Sequence, residues 1–506
     1  MSDTNRVGLY IARNSEREEP ITLSPTELRQ MRYTGSPGLA FAPNSILSDE
    51  VREDRQIPDS ILVGASAGGN LNIELSFGTF DLLLESTMLS SWVSTMRKDG
   101  ATEVASFGVN TVTVDDGTDF LVAQVIRLTH TDANGVIFDD AYEITGIATN
   151  VLTLAAIATG TLPTASETPN ANTAIRVVGL KAQINADISV AVSAGVATFT
   201  FPAAYIDAAM GPASPLVVGQ WIKASGFATA ANNIAYRITA IDVAADTITA
   251  VAQTGVVTDA ATTEQVEIYF GDYIRNGTAL ISAHQFAIER RFNDHDTVDV
   301  TRELFLGMAV QQLQLNLTSQ AIATGQFTFL GFNSAVNDTG SPYAALYSGG
   351  LPTDVAAETH DVYNTSTNVG RLALGANDIT SGTKNLILEA TLTFNNNLRE
   401  RPAVGVFGAA SIGLGVLNVG GNLNTYFDDK TILDLILGNT DTEYNILVQN
   451  TDGRSLLFDL PRVKLTSGAP EVPGGNQDVV LNPDIQALRD PTLTYTAHIQ
   501  RWHYIR

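Results

Sequence analysis

Six histidines, 54 carboxylates and a scatter of hydroxyls are the side chains that could do chemistry in this 506-residue chain. Nucleophilic catalysis sets a Ser, Thr or Cys beside a base, and acid–base work favours histidine or paired carboxylates. His130, His284, His295, His360, His498 and His503 are scattered, and none has the His-Glu-x-x-His spacing that puts two ligands on one helix face. Cysteine is absent, which excludes disulfides and thiolate metal sites.

Three segments imitate binding loops. Gly64-Ala65-Ser66-Ala67-Gly68-Gly69 is glycine-rich but lacks the Lys-Ser/Thr ending that holds a phosphate. Gly413-Leu414-Gly415 precedes Gly420 without dinucleotide spacing, and its flanks read as strands. Asp132-Ala133-Asn134-Gly135 with Asp139 and Asp140 has some of the oxygen ligands of a calcium loop, but Asn-Gly is also the expected hairpin turn, and the turn is the preferred reading. No catalytic residue, cofactor or metal site is expected. The Asp49 to Asp59 cluster, interleaved with Arg52 and Arg55, reads equally as a solvated loop or a docking surface.

The elements that would position such residues are β-rich. Apolar residues make up 44% and charged ones 16%, against ~25% charged in a typical domain, so sizeable cores can form. Abundant Thr, Asn, Gly, Val and Ala favour strands and turns. The length implies roughly three or four units of ~100–200 residues. A formal charge of −25 argues against gripping nucleic acid, which takes a Lys/Arg footprint, and an acidic surface would repel a DNA backbone. The start, Met-Ser-Asp-Thr-Asn-Arg, has no apolar stretch, and the uncharged run Pro402 to Phe427 is broken by glycines, so neighbouring buried strands and a soluble protein are expected.

Along the chain, Ser24-Pro25-Thr26-Glu27 is a capping box that predicts a helix to about Met31. Thr34 to Ser60 reads as a long irregular excursion. Leu71, Ile73, Leu75 and Phe77 alternate with polar residues as in a half-buried strand, and a helix capped by Thr79 should follow, with Phe80, Leu83, Leu84, Met88 and Trp92 on its core side. Leu313, Leu315 and Leu317 alternate with Gln312, Gln314 and Asn316, and Leu388 to Phe394 and Leu493 to Ile499 alternate likewise. Asn333 to about Thr383 reads as an extended arm.

Two repeats organise these elements. Between about 100 and 270, Val122 to Arg127 answers to Val218 to Lys223, and Ala141 to Ile147 answers to Ala235 to Ile241. This is a tandem pair of small β-modules. Separately, Gly68-Gly69-Asn70-Leu71-Asn72 recurs as Gly420-Gly421-Asn422-Leu423-Asn424, each before an amphipathic helix, the second from Asp428 or Asp429 to Gly438. A duplicated domain, its first copy split by the tandem insertion, is the simplest account.

The order of segments resembles the tail tube (major tail) proteins of siphophages. The matching stretch runs from Ile46-Leu47-Ser48-Asp49-Glu50-Val51-Arg52-Glu53-Asp54-Arg55-Gln56 through Ile61 to Gly64 and Gly69 to Gly78 into Phe80-Asp81-Leu82-Leu83. It resumes at Phe286-Ala287-Ile288-Glu289-Arg290-Arg291-Phe292-Asn293-Asp294 and continues from Phe305 to Gly331. The resemblance covers roughly residues 20–100 and 280–335, and looser matches follow in the second half.

What the resemblance implies is a structural, non-enzymatic subunit of an all-β fold with a few short helices: two tube-type β-barrel or sandwich domains plus two inserted β-modules. The expected division is 1–100 with 270–335 as the first tube domain, 101–183 and 184–269 as the modules, 336–384 as an arm, and 385–506 as the second tube domain. Family members form stacked rings that conduct DNA. Implied partners are further copies of the chain, in trimeric rings of pseudo-sixfold appearance, the tail terminator, tape measure and distal tail proteins, and double-stranded DNA in passage, with no membrane. The implied location is the virion tail, assembled in the host cytoplasm. Asn70, Asn72, Glu74, Gln312, Gln314 and Asn316 are then lumen candidates in an acidic, polar channel, and Asp49, Glu50, Arg52, Glu53, Asp54 and Arg55 belong to a ring-stacking loop. The modules are expected outside the wall. Alternatives from the residues alone are a secreted adhesin of glycan-binding β-modules and a capsid or decoration subunit.

Overall fold

The computed structural model describes residues 6–13, 27–132, 135–157, 161–164, 167–182, 188–202, 216–261, 264–279, 281–293, 300–337, 352–375, 377–378 and 385–506. Their strands fall into a 20-stranded sheet system, a 13-stranded one and a separate two-stranded hairpin.

The large system holds one topology twice. In the first half, strand Ser60–Glu74 leads to helix Asp81–Met88. Strand Phe286–Phe292 then pairs antiparallel with Thr301–Thr318, that strand with Thr324–Gly331, and the last with 60–74. In the second half, strand Asn418–Tyr426 leads to helix Thr431–Leu437. Strand Thr442–Gln449 pairs with Ser455–Leu465, that strand with Asp484–Ala487, and the last with 418–426. The circuit of pairings is the same.

The repeated Gly-Gly explains itself at the contact. A Cβ on Gly68 would come within 2.9 Å of the Phe329 carbonyl oxygen, and one on Gly420 within 2.9 Å of that of Ile485. A Cβ on Gly69 would meet the Gly38 carbonyl at 2.1 Å, and one on Gly421 the Thr391 carbonyl at 2.1 Å. Backbones crowd each strand from both sides in both copies, so neither position accepts a side chain.

The two copies are joined into one sheet. Strand Ile387–Asn395 pairs with residues 312–318 of the first half on one edge and with 418–426 of the second on the other. One apolar core runs behind both halves, holding Leu71, Leu83, Leu313 and Phe327 together with Leu392, Leu423, Ile432 and Phe458.

Several expected elements differ. Ser24 to Thr26 lie outside the described residues, but Glu27–Gln30 is a strand, paired with Tyr10 and Ile11 and, in parallel, with Thr353–Val355. Leu28 is buried among Ala12, Ala287, Leu304 and Leu306, and this packing overrides a local capping signal. The excursion from Thr34 to Ser60 is no irregular loop: Ala40–Leu47 and residues 60–68 form a long antiparallel hairpin. Helix Asp81–Met88 starts after Phe80, while the Thr79 hydroxyl bonds that of Ser76 at 2.8 Å, and Trp92 lies beyond the helix. Of the second helix only Ile432 is fully buried, and Leu437 is exposed. The closing strand is His498–Trp502, buried on both faces, rather than the longer alternation. In the stretch expected as an arm, residues 338–351 lie outside the described set; Val369–Leu374 pairs with 442–449, and Tyr363 is fully buried.

The 13-stranded system spans Arg97 to Tyr269 and has its own core. Twelve of its strands form two runs of six in the same order, 104–108, 111–114, 151–156, 137–148, 124–131, 174–181, and 189–193, 196–200, 247–251, 235–242, 221–225, 267–269, and the thirteenth, Arg97–Asp99, pairs with 174–176. They join where Gly179 to Lys181 pair with Tyr269 to Glu267. The repeated Gln serves the same turn in each: Gln124 accepts from the Leu121 N–H at 3.0 Å, and Gln220 from the Val217 N–H at 3.2 Å. Ala123 and Gly219 both take positive φ there.

The insertion is bound to the second half as well as the first. Strand Asp272–Arg275, its exit, pairs with 498–501. Asp272 is wholly buried and accepts from Arg176 and Arg501 at 2.9 Å, from the Thr95 N–H at 2.9 Å, and lies 3.0 Å from His503 Nε2. Burial opposes its charge, but these neighbours win, and its pKa falls below the ordinary carboxylate value. Arg237 of the second module reaches Glu443 and Asp459, and Arg127 of the first reaches the carbonyl of His503.

Candidate functional site

The sheet that spans both halves has two unlike faces. One packs on the helices and core; the other is polar and half-exposed. Because directly paired residues share a face, the registers define rows across it. Asn70, Thr328, Gln312, Asn395 and Asn418 make one row. Asn72, Gln326, Gln314 and Thr393 make the next, which passes Gly420 to Gln486 and Lys464. Glu74, Thr324, Asn316, Thr391, Asn422 and Asp484 make the third. All six residues expected to share a surface therefore lie on this face, two in each row.

Sequence reasoning missed the rest of it. Thr324, Gln326 and Thr328 alternate with Gly325, Phe327 and Phe329, a readable signal, and Asn422 is the repeat partner of Asn70. Asp484 and Gln486 sit in a four-residue strand too short to show a period. Amides tie the rows together: Gln326 donates to Asn72 at 2.7 Å, Asn422 to Asp484 at 3.1 Å, and Gln486 to Asn418 at 2.9 Å. Hydrogen bonds from Ser467 and Asn422 lower the Asp484 pKa. Within the three rows only Glu74, Asp484 and Lys464 are ionisable. The face is carboxamide and hydroxyl far more than acid.

The hairpin 40–47/60–68 carries the second expected cluster at its tip. Asp49, Glu50, Arg52, Glu53, Asp54 and Arg55 are all exposed, with one ion pair, Arg52 to Asp54 at 3.2 Å. That pair is solvent-facing and adds little stability. The hydrogen bonds from Arg52 and the Gln56 N–H lower the Asp54 pKa. Around this charged tip the hairpin is apolar and uncovered: Ile46, Leu47, Ile61, Leu62 and Val63 are each about half exposed or more, and Val51 is fully so. A two-stranded ribbon with apolar side chains in water is marginal and marks a contact surface. The shorter hairpin Arg399–Pro402/Ala409–Gly413 stands at the corresponding place in the second half. Its base packs on Ala309 and Phe332 of the first half, while Val404 and Phe407 at its tip are exposed.

Two segments with the lettering of chemical sites are taken up in other ways. Gly64-Ala65-Ser66-Ala67-Gly68 has the lettering of a nucleophile elbow, but Ser66 lies within a straight strand, paired with Ala42, and not on a strand-to-helix turn. Asp139 is taken up by Arg127 and Arg454 at 2.6 Å each, and residues 133 and 134 of the possible calcium loop lie outside the described set. Among the described residues no group of His, Asp and Glu could hold a metal ion, and no helix is long and apolar enough to cross a membrane.

No curated protein matches the chain. A family model described as phage tail tube protein matches residues 4–201 and, a second time, residues 181–497. Two overlapping matches to one family agree with the doubled strand circuit and the doubled Gly-Gly contact. The chain thus belongs to the phage tail tube protein family and carries the family's domain in duplicate.

Proposed function

We propose that the chain is the ring subunit of the tube, and that its carboxamide-rich sheet face lines the conduit through which DNA leaves the virion. The observation that carries this reading is the continuous polar face: three rows cross from one domain copy to the other without a break. Eight strands per chain contribute, counting the segment through Gly38 beside 60–74 and the 455–465 strand with its continuation at Pro470–Glu471.

Strand number constrains the ring. At ~4.8 Å between strands and a tilt of ~40°, each strand takes roughly 6 Å of circumference. Two chains, with side chains inside, leave a bore of roughly 20 Å, which grips a duplex of about that width. Three chains leave roughly 35 Å, which clears it. The reading is therefore a ring of three chains with six similar domains, and the domain limits 1–100 with 270–335, 101–183, 184–269, 336–384 and 385–506 belong to it. Passage is passive and structural. A duplex carries about one charge per ~1.7 Å of axis, and a wall of amides and hydroxyls whose single cation in these rows, Lys464, lies 3.7 Å from Asp441 offers little to hold it. The apolar hairpin, with Asp49 to Arg55 at its tip, makes the contact between stacked rings.

Electron microscopy of the purified protein tests the assembly: rings and tubes are expected, and dispersed elongated monomers would support an adhesin instead. The wall is tested by Gln312→Lys, Gln314→Lys and Glu74→Lys together. Tubes should still form, with DNA passage slowed more strongly at low salt. Unchanged passage would show that this face does not line the channel.

A further inference from the structure

Three arginines stand in one row across the first inserted module. Arg176 of strand 174–181 is paired directly with Arg127 on one side and with Arg97 on the other, so the three guanidinium groups share a face. Like charges set opposite each other destabilise a sheet. The fold of the module does not require them, because the equivalent strands of the second module set Lys223 opposite Tyr269.

The row lines a cavity of about 510 Å³, whose lining also includes Arg454 and Arg501 of the second half and Arg29 of strand 27–30. Only three carboxylates line it with these six arginines: Asp81, Asp139 and Glu358. The chain as a whole has 54 carboxylates to 29 Lys and Arg, so the cavity reverses the balance of the molecule around it. Three more carboxylates, outside the lining, hold some of the arginines: Asp99 binds Arg97, Asp272 binds Arg176 and Arg501, and Asp452 binds Arg454. These pairs leave donors over. Among the described residues, Arg176 reaches Asp272 through Nη1 alone, Arg97 reaches Asp99 through Nε alone, and Arg454 bonds through its two Nη groups and not through Nε. Burial lowers the Arg176 pKa, with Asp272 opposing the fall and Arg97 adding to it, and burial takes that of Arg501 to about 9. Negative charge in the cavity relieves both.

We propose that this cavity binds a small phosphate-bearing anion, of the size of pyrophosphate or the phosphate chain of a nucleotide. Guanidinium forks fit carboxylate and phosphate oxygens alike. Forks arriving from a sheet row and from two other parts of the chain call for more acceptor oxygens than the two of a carboxylate, and a phosphate chain supplies them. The volume lies within the range of small-molecule sites, about 300–1,000 Å³, and excludes a duplex. The lining brings together the first module, strand 27–30 and the second half, so a bound anion clamps the insertion to the rest of the chain and stabilises the folded state. A single chain holds the whole site, and free subunits suffice to test it.

Titration calorimetry of free subunits with pyrophosphate, at constant ionic strength, should show one saturable site per chain. Arg29→Gln with Arg97→Gln removes two partly exposed side chains whose pairs with Glu358 and Asp99 face solvent, so the fold should survive. Binding should weaken at least about tenfold. Glu358→Gln removes a lining carboxylate and should tighten binding, a gain that misfolding cannot produce. ADP separates the two sources of phosphate: tighter binding than pyrophosphate assigns a nucleotide, and equal or weaker binding assigns the phosphate chain alone. Absence of a saturable site, an affinity unchanged in both variants, or equal binding of citrate would overturn the assignment.

Discussion

Lys223 shows how context splits two residues that the repeat makes equivalent. Arg127, its counterpart in the first module, meets Asp139 at 2.6 Å. The Lys223 ammonium has the Asn233 carbonyl at 2.6 Å, and burial lowers its pKa to about 8. A cation whose pKa falls on folding destabilises the fold while charged. The deficit is full below about pH 8 and disappears as pH rises toward the unfolded value of ~10.4. Lys223→Met should therefore stabilise the insertion at pH 7 by up to about 3 kcal/mol, given 1.36 kcal/mol per unit. Its advantage over the unaltered chain should shrink between pH 8 and 10, as urea denaturation across that range would read. An advantage independent of pH would mean that folding leaves the Lys223 pKa unshifted.

At the scale of elements, the hairpin 40–47/60–68 makes a sharp prediction because its apolar side chains bury little within the chain. Ile46→Asp with Leu62→Asp should leave the melting temperature of the free subunit unchanged and shorten or abolish tubes, measured by negative stain. Tubes of full length would remove the hairpin from ring stacking. The same hairpin marks a limit of sequence reading. Three prolines and a mixed-charge cluster between Thr34 and Ser60 resemble a loop, and only pairing through Ala40 to Leu47 makes strands of the flanks. Short strands fail for the same reason: Glu27–Gln30 and Asp484–Ala487 exist because neighbours supply partners, with no internal period to announce them. Long alternations were legible. Leu313 to Leu317 and Leu71 to Leu75 stand where their period puts them, and their polar partners share one face. Gly68-Gly69 and Gly420-Gly421 were legible as a repeat, while their cause, a carbonyl at each missing Cβ, needed coordinates.

For the whole molecule, the duplication turns a sixfold problem into a threefold one. In the proposed three-chain ring, each chain brings its two domain copies already joined through 387–395, so half the junctions between domains would lie within a chain. Native mass measurement of rings released from tubes should give three times the 53.8 kDa chain mass. Six chains per ring would mean that only one domain copy enters the wall. The insertion does not hang free: through Asp272, Arg237 and Arg127 it is bound to the second half of the chain.

The pairing of Asp272 with Arg501 carries a timing consequence. These residues are 229 positions apart. While the chain emerges from the ribosome, the buried carboxylate that anchors the insertion has Arg176 already made but waits for Arg501 and His503, translated long after it. Contacts so distant in sequence slow folding and prolong the life of incomplete species. A nascent chain therefore completes its doubled sheet only once the second domain has been made, and on the proposed ring reading this would keep partial polypeptides from entering and blocking a growing tail.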